Sequence, residues 1–262
     1  MNMEQVKACE FDILCAFADF CDKHNLIYYL TYGTLIGAVR HGGFIPWDDD
    51  VDVMMLRTDY NRLSELLKNE KVRSDLDWIT IENGKWNEPV GKLVNSNTVG
   101  YRRGNYETGL WVDVFPLDNS DEETLRKNIY WRRVHIAKCT DHFGFDKKSL
   151  IKFGLKCLYF WKSLDSISRG INERTISIPY NGNISNMVWT SFGKDVGPGS
   201  RFEGYALVKF EGREFKTIKD YDTYLRQIYG DYMKLPPENK RRSHGVEAYW
   251  KGEGECPYKL SI

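Results

Sequence analysis

The 262-residue chain lacks several features that mark other classes of protein. It has no run of about 20 apolar residues, the length that a membrane-spanning helix requires, and its first residues, Met-Asn-Met-Glu-Gln, show no secretory signal. None of its six cysteines belongs to a Cys-x-x-Cys pair, and no histidine stands at zinc-finger spacing. Lys plus Arg and Asp plus Glu both number 37, so the chain has no net charge. We therefore expect a cytoplasmic protein with reduced thiols, without the broad basic surface that binds nucleic acid.

The composition is that of a globular protein with a sizeable core. Apolar residues make up 42% of the chain and charged residues 28%. We find no internal repeat, low-complexity tract or linker, so we predict one domain over residues 1–262. The pattern of apolar residues predicts an α+β protein with a helical and loop-rich C-terminal half.

Apolar periodicity and turn residues predict the order of the elements. We predict helices over residues 4–24, 35–40, 59–68, 121–140, 149–174 and 220–229. We predict strands over residues 26–32, 78–82, 90–94, 110–115 and 208–215, and one through Val51 and Val53. Pro116 is expected to end the strand before it. The outer face of the helix over 121–140 is expected to carry Arg126, Lys127, Arg132 and Arg133.

The most informative segment is the acidic run over residues 47–53, Trp-Asp-Asp-Asp-Val-Asp-Val. In a strand, Asp48, Asp50 and Asp52 would share one face because side chains alternate with period 2, and Asp49 would point away. Two carboxylates about 4 Å apart repel by roughly 4 kcal/mol at an effective dielectric of about 20, so the cluster needs a cation. Oxygen ligands in this number suit Mg²⁺ or Mn²⁺.

A second motif lies just upstream, where Gly33-Thr34 end a predicted strand and begin a helix. Backbone N–H groups at a helix N-terminus bind anions, and glycine lets a phosphate approach the backbone closely. An acidic strand returning alongside would place its cation next to that phosphate, as phosphoryl transfer requires. The alternative is an ordinary turn followed by a solvated acidic loop.

Asp113 is the charged residue in an otherwise apolar predicted strand, Leu110–Phe115. If this strand lies beside the acidic run, Asp113 can be a third ligand of the cation, or it can accept the proton of an attacking hydroxyl. The alternative is a structural ion pair with Arg102 or Arg103.

Further side chains are candidates for substrate contacts. Lys92 and Arg40 can bind phosphate, although a lysine in a strand can equally point to solvent. Trp47 can stack on a nucleobase or hold a quaternary ammonium by a cation–π interaction worth about 0.5–2 kcal/mol. The basic and aromatic residues over 126–162 can dock on a membrane surface, but we favour an ordinary amphipathic helix pair.

Together these motifs resemble the signature of the LicD family. Residues 32–53 (Tyr-Gly-Thr to Val-Asp-Val) match its first motif, and residues 111–118 (Trp-Val-Asp-Val-Phe-Pro-Leu-Asp) match its second. Residues 229–237 (Tyr-Gly-Asp-Tyr-Met to Leu-Pro-Pro) and His244 resemble its C-terminal motif. The likeness runs from about residue 25 to 245 and is weakest over 140–205.

The resemblance implies a nucleotidyltransferase-like fold, in which a mixed β-sheet is flanked by helices. Core motifs would occupy residues 25–120, and a helical acceptor-side region about 121–250. It implies Mg²⁺ or Mn²⁺ held by Asp50, Asp52 and Asp113, the expected catalytic residues, with Asp48 as a further candidate ligand. Gly33-Thr34 would be the phosphate-binding turn.

The activity implied is transfer of a substituted phosphate, most simply phosphocholine from CDP-choline, to a sugar hydroxyl of teichoic acid, lipopolysaccharide or capsule. Three alternatives stay open: ribitol- or glycerol-phosphate transfer, as in related fukutin-type proteins; true nucleotidyl transfer; and a non-catalytic glycan-binding protein of the same fold. The expected partners are a CDP-linked donor and a glycan acceptor, free or lipid-linked. We expect no nucleic acid and no membrane span, and peripheral contact at most with the inner face of the membrane.

Overall fold

The computed structural model describes residues 1–102, 106–140, 143–190, 193–243 and 245–252. Arg103 and His244, named above, lie outside these ranges. The helices are α1 (Met3–Lys23), α2 (Tyr32–His41), α3 (Arg57–Leu66), α4 (Glu122–Cys139), α5 (Lys147–Leu158), α6 (Leu164–Ile176) and α7 (Tyr221–Tyr229). Two short 3₁₀ helices cover Gly199–Phe202 and Glu238–Lys240.

The strands belong to one mixed sheet and two small antiparallel sheets. They are β1 (Tyr29–Leu30), β2 (Asp52–Leu56), β3 (Leu76–Ile79), β4 (Gly91–Asn95), β5 (Thr98–Arg102), β6 (Tyr106–Thr108), β7 (Trp111–Asn119), β8 (Asn183–Ser185), β9 (Gly197–Pro198), β10 (Ala206–Phe210), β11 (Arg213–Thr217) and β12 (Glu247–Trp250). The prediction of an α+β protein with a mixed sheet flanked by helices is confirmed.

The main sheet has the strand order β1-β2-β7-β4-β3, with β8 and β9 attached at the far end of β7. β2 and β7 run parallel, whereas β1, β4 and β3 pair antiparallel with their neighbours. The two central strands therefore present their first residues, Asp52 and Trp111, at the same edge of the sheet. This edge is where the two predicted acidic motifs meet.

Helix α1 covers one face of this sheet by packing on β7 and β4. It begins with a capping box in which the Asn2 side chain accepts from the Gln5 N–H and the Gln5 side chain accepts from the Asn2 N–H. Cys9, Ile13 and Phe17 recur at helical spacing and are fully buried. The N-terminal helix is thus a structural layer behind the sheet.

The acidic run is a strand over only part of its length. β2 begins at Asp52, and Asp48 and Asp50 lie in the preceding loop. The strand prediction through Val51 was therefore too long, because ladder pairing with β7 starts at Asp52.

The expectation that Pro116 ends its strand was wrong, because β7 continues to Asn119. The Asp113 N–H points towards β2, where it donates to the Val51 carbonyl oxygen. By strand alternation, the nitrogen of Pro116 faces the opposite side. There the pairing with β4 has already stopped at Val114, so the missing N–H breaks no ladder bond.

Further boundaries differ from the sequence prediction. The predicted strand over 26–32 is only Tyr29–Leu30, and α2 already begins at Tyr32, so Gly33-Thr34 lie within its first turn. The predicted helix over 149–174 is two helices, α5 and α6, separated by a turn over 159–163. The predicted strand over 208–215 is the hairpin β10–β11, in which Glu211 and Gly212 both have positive φ, as a tight two-residue turn requires. In the described part of the chain, no helix is long and apolar enough to cross a membrane.

Candidate active site

A row of three charged side chains crosses one face of the main sheet. Asp52 on β2 is the register partner of Asp113 on β7, and Asp113 is the partner of Lys92 on β4. Directly paired residues of neighbouring strands point to the same face, so the two carboxylates and the ammonium lie side by side. The strand that carries Asp113 therefore does lie beside the acidic run.

Asp113 is held by two buried donors. The Lys92 ammonium forms an ion pair with Oδ1, and the Trp111 Nε1–H donates to Oδ2 over 2.9 Å. Lys92 is 3% exposed, and its Nζ lies 4.5 Å from the centre of the Trp111 ring. Lys92 thus points to Asp113 and not to solvent. An ion pair of Asp113 is present, and its described partner is Lys92; the side chains of Arg102 and Arg103 lie outside the described part of the chain.

The loop before β2 sends its aspartates in two directions. Asp48 and Asp50 line the same cavity as Asp52 and Asp113. Asp49 is fully buried, and its Oδ2 accepts the backbone N–H groups of Gly245 and Val246 over 3.0 and 2.9 Å. Asp49 therefore anchors the C-terminal segment beneath the acidic loop.

Gly33, in the first turn of α2, leaves room for one of these carboxylates. A Cβ at this position would lie 2.5 Å from Asp48 Oδ2, closer than a carbon atom can approach. A glycine is therefore required for Asp48 to approach the N-terminus of the helix. The arrangement puts a carboxylate and backbone N–H groups of α2 on the same wall of the cavity.

Thr34 has a positioning role in the structure. Its side chain is buried, and its Oγ1 accepts the backbone N–H of Asp52 over 2.8 Å. This bond joins the first turn of α2 to the first residue of β2. Thr34 therefore fixes the position of the Asp52 backbone, from which the carboxylate extends.

Tyr32, at the start of α2, has a left-handed backbone with φ 47°, which is unusual for a residue with a side chain. Its hydroxyl donates to Asp195 Oδ2 over 3.1 Å and accepts from Asn186 Nδ2 over 3.1 Å. Burial raises the pKa of the Asp195 carboxyl, although hydrogen bonds from Asn186, Ser185 and Tyr32 partly oppose the shift. Strained backbone of this kind is common in binding sites, where surrounding contacts hold it in place.

The four carboxylates of Asp48, Asp50, Asp52 and Asp113 line one cavity of about 630 Å³, and Gly33 lies in the same wall. This volume is within the usual range for small-molecule sites. Four residues predicted from sequence are not among the described residues that line this cavity: Thr34, Arg40, Trp47 and Lys92.

Arg40 and Trp47 contact the C-terminal segment. Arg40 Nη1 donates to the Tyr232 carbonyl oxygen, and its Nε donates to His41 Nε2 over 2.9 Å. The guanidinium of Arg241 lies 5.0 Å from the centre of the Trp47 ring. These contacts, with those of Asp49, attach the chain after α7 to the loop that carries the acidic run.

Other residues complete the cavity, and the sequence reasoning missed them. Arg132 of α4 faces the cavity, 5.0 Å from the centre of the Trp189 ring, so it does not belong to the exposed basic face predicted for that helix. The segment after β8 contributes Asn186, Trp189, Thr190, Lys194 and Asp195. This segment has no apolar periodicity, so only its turn-rich composition was visible in the sequence.

Tyr229, the last residue of α7, lies over the acidic cluster. Burial of its hydroxyl, followed by the charges of Asp52 and Asp48, raises the pKa of Tyr229 above its ordinary value. The residue as a whole is nevertheless 46% exposed, and it lines the same cavity as the carboxylates. Its place in the C-terminal motif was the sequence signal for this role.

A further carboxyl group lies behind the cluster. Glu10 of α1 is fully buried, and neither of its side-chain oxygens has a hydrogen-bond partner among the described residues. Burial raises the pKa of Glu10 well above its ordinary value, and the charges of Asp50, Asp49 and Asp48 add to the shift. Nothing in the sequence pattern distinguished Glu10 from an exposed helix residue.

The charges around the cavity favour a bound cation. Six described carboxyl groups line the wall, against the two cationic side chains of Arg132 and Lys194: Asp48, Asp50, Asp52, Glu88, Asp113 and Asp195. In the described part of the chain, no three Asp, Glu, His or Cys side chains are arranged to hold a metal by themselves. Mg²⁺ commonly takes one or two carboxylates and completes its coordination with water and substrate phosphates, so the donor chemistry fits such an ion.

Comparison with known proteins gives a match to one protein family and matches to individual proteins. Residues 25–154 match the model of a family described as LicD/FKTN/FKRP, nucleotidyltransferase domain. The lipopolysaccharide cholinephosphotransferase LicD of Haemophilus influenzae is 29% identical over 260 residues, which cover 94% of this chain and 97% of that protein. An uncharacterised protein of Rickettsia prowazekii is 47% identical over 125 residues, 47% of this chain and 37% of that protein.

Proposed function

Since the chain belongs to the LicD family, we propose that it is a transferase that moves phosphocholine onto a sugar hydroxyl of lipopolysaccharide or a similar cell-surface glycan. The relative that carries this activity in its name aligns over almost the full length of both chains. The alignment therefore extends well past the acidic motifs into the C-terminal half, which completes the cavity. The family description also supports assigning the mixed sheet to the nucleotidyltransferase fold.

We propose CDP-choline as the donor, and the single observation that carries this is the composition of the cavity wall. Carboxylates and the N-terminus of α2 meet there, which suits a diphosphate bound together with a cation. Four aromatic side chains line the same cavity: Tyr32, Phe115, Trp189 and Tyr229. Aromatic rings attract a quaternary ammonium, whereas ribitol or glycerol would call for polar side chains. The wall thus favours choline over the polyol alternatives.

A divalent cation, Mg²⁺ or Mn²⁺, belongs to this proposal. Asp50 and Asp52, with Asp48 at the helix end, are the residues that would hold it, whereas we assign Asp113, the third ligand of the sequence prediction, to the proton transfer. When bound, it would neutralise the diphosphate and stabilise charge on the departing phosphate. Arg132 and Lys194 are the described cations that face the cavity, so we assign them the phosphate contacts that Lys92 and Arg40 had in the sequence prediction.

The proposed reaction uses the residues as follows. The sugar hydroxyl attacks the phosphorus that carries choline, its oxygen–phosphorus bond forms, and the bond to the CMP phosphate breaks. The hydroxyl proton passes to a carboxylate, for which we propose Asp113. Its two oxygens each accept one described hydrogen bond, and a carboxylate oxygen can accept two. Trp111 and Lys92 would hold the group in place during the transfer.

We test the proposal by measuring metal-dependent CMP release with CDP-choline, CDP-ribitol and CDP-glycerol in the presence of a glycan acceptor. CDP-choline is expected to give the highest turnover. Asp52→Asn should lower turnover by about 100-fold or more, because loss of one charge-stabilising group costs that much in other enzymes. Asp165→Asn, which changes a carboxylate on α6 outside the cavity, is the control.

Three results would contradict the proposal. A folded Asp52→Asn protein with near-normal CMP release would remove the role of this carboxylate. Release of pyrophosphate from a nucleoside triphosphate would indicate true nucleotidyl transfer instead. Absence both of turnover with every donor and of Mg²⁺ or Mn²⁺ binding in calorimetry would favour a glycan-binding protein of the same fold.

We also propose that the reaction takes place in the cytoplasm. The described cysteines Cys9, Cys15, Cys21, Cys139 and Cys157 are free thiols, which suits a reducing compartment.

A further inference from the structure

Helix α5 is amphipathic, but its apolar side faces solvent. Leu150, Ile151, Phe153 and Leu158 are between 52% and 57% exposed, and the helix contains no buried residue. At about 100° per residue, these four side chains fall within an arc of roughly 160°. An ordinary surface helix turns such an arc towards the core, so this helix is reversed.

The lysines of the same helix fall into two groups. Lys152 and Lys156 lie opposite the apolar arc and are half-buried against the protein, whereas Lys147 and Lys148 at the start of the helix are exposed. Lys156 donates to the Thr140 carbonyl oxygen over 2.8 Å, and its Nζ lies 5.6 Å from the centre of the Phe143 ring. The helix pair with α4 that the sequence favoured is therefore present, and Leu155 packs against the core, but the other four large apolar side chains of α5 stay uncovered.

The exposed apolar surface continues beyond the helix. Phe160 and Trp161, in the turn after α5, are 76% and 62% exposed, and Phe145 before it is also fully exposed. We call these three residues, with the four apolar residues of α5, the α5 surface. Exposed large apolar side chains that are concentrated in one segment in this way mark an interaction site.

The charge around the α5 surface identifies its partner. Residues 145–164, which contain the α5 surface, have five lysines and one acidic residue, Asp146, although the whole chain is neutral. An apolar helix face with the exposed Lys147 and Lys148 at one end and Trp and Phe at the other is typical of a helix that lies in the interface of an anionic membrane. Lysine side chains reach from such a helix to the phosphate groups while their stems stay in apolar contact.

A second copy of the chain fits this surface less well. Symmetric dimers bring the same patch together from both subunits, so two sets of five lysines would meet with only one Asp146 from each segment to offset them. We propose that the α5 surface docks the protein on an anionic lipid bilayer. This docking does not depend on the chemistry proposed for the cavity.

Vesicle flotation with the full chain tests this proposal. One set of vesicles is phosphatidylcholine, and in the other a third of the lipid is anionic phosphatidylglycerol. The protein is expected to bind the anionic vesicles about tenfold more tightly, and raised salt should weaken the binding. Failure of the wild-type protein to bind either kind of vesicle would overturn the proposal.

A matched pair of variants locates the surface. Leu158→Glu on α5 and Leu207→Glu on β10 change equally exposed leucines, 55% and 53%, to the same acid. Leu158→Glu should lower vesicle affinity about tenfold or more, because it replaces apolar contact by a negative charge, and Leu207→Glu should not. Equal affinities for the two variants would overturn the assignment.

Two further measurements keep the test decisive. Far-UV circular dichroism should give unchanged spectra for both variants, because exposed positions contribute little to stability. Light scattering on the protein without vesicles is expected to show that the wild-type protein does not self-associate through the surface that contains Leu158. If it shows a dimer that only Leu158→Glu dissociates, the surface belongs to a second copy and the membrane proposal is wrong.

Discussion

Replacement of Glu10 by Gln should stabilise the protein, and the gain should depend on pH. Glu10 is fully buried behind the acidic loop, and its oxygens have no hydrogen-bond partner among the described residues. Burial, with the charges of Asp50, Asp49 and Asp48, raises the pKa of Glu10 well above its ordinary 4.5. The folded protein therefore keeps a proton that the unfolded chain loses. Gln has nearly the same shape and carries no charge at any pH. The free energy of unfolding of the Glu10→Gln protein therefore does not fall with pH through this group.

The sign and slope of the effect follow from proton linkage. Below pH 4.5 both states hold the proton, and Glu10 imposes no pH-dependent cost. Above it, the unfolded state binds one proton fewer than the folded state, so the free energy of unfolding falls by about 1.4 kcal/mol per pH unit. The fall stops when the pH reaches the pKa of Glu10 in the folded protein. The advantage of Glu10→Gln over wild type should therefore rise at this slope and then become constant.

Urea denaturation from about pH 5 to about pH 8, where folded proteins are usually most stable, measures this difference. A chelator is included, because a divalent cation beside Asp50 would change the charge near Glu10. Glu4→Gln, which changes an exposed carboxylate in the first turn of the same helix, is the control. A constant difference between Glu10→Gln and wild type across this range would show that Glu10 titrates alike in both states and would refute the reasoning.

Two further predictions concern the start of α2. Thr34→Val leaves the Asp52 N–H without its acceptor, which should lower the free energy of unfolding by about 1–3 kcal/mol and reduce turnover; Thr34→Ser keeps the acceptor and should keep turnover, and equal CMP release by the two variants would contradict this. Gly33→Ala should reduce turnover without loss of stability, because its Cβ displaces the Asp48 carboxylate while alanine favours the helix by about 1 kcal/mol. Gly154→Ala, where a Cβ meets no atom within 4 Å, should show the same gain in thermal unfolding with unchanged turnover, and a parallel loss in both variants would refute the steric argument.

The parts of the fold that depend on local pattern were predictable. Helices α1, α4 and α7 lie close to their predicted ranges because each has apolar residues at helical spacing and ends at a polar cap or a glycine. The site residues carried by the first two motifs, Gly33, Asp48, Asp50, Asp52 and Asp113, share one cavity wall. Their proximity followed from the expectation that two short apolar strands lie side by side.

The rest of the cavity comes from contacts that no local pattern encodes. Asp195 reaches Tyr32 across 163 residues, and Arg132 approaches Trp189 from a helix that looks evenly basic in sequence. Lys92 was a candidate for phosphate, yet its nearest buried charge is Asp113, because the order of β7 and β4 in the sheet pairs them directly. Strand order and loop placement depend on tertiary packing, so a single sequence does not determine these partners.

In the acidic run, contacts with distant residues maintain the alternation of side chains that was predicted from local strand geometry. Alternation was predicted from strand geometry, but Asp48 and Asp50 precede the first paired residue of β2. Their side chains still face the cavity because the residues between them are held on the other side. Asp49 is held by two N–H groups of the C-terminal segment, and the Val51 carbonyl oxygen accepts the N–H of Asp113. The orientation of the carboxylates therefore depends in part on residues about 200 positions away in the chain.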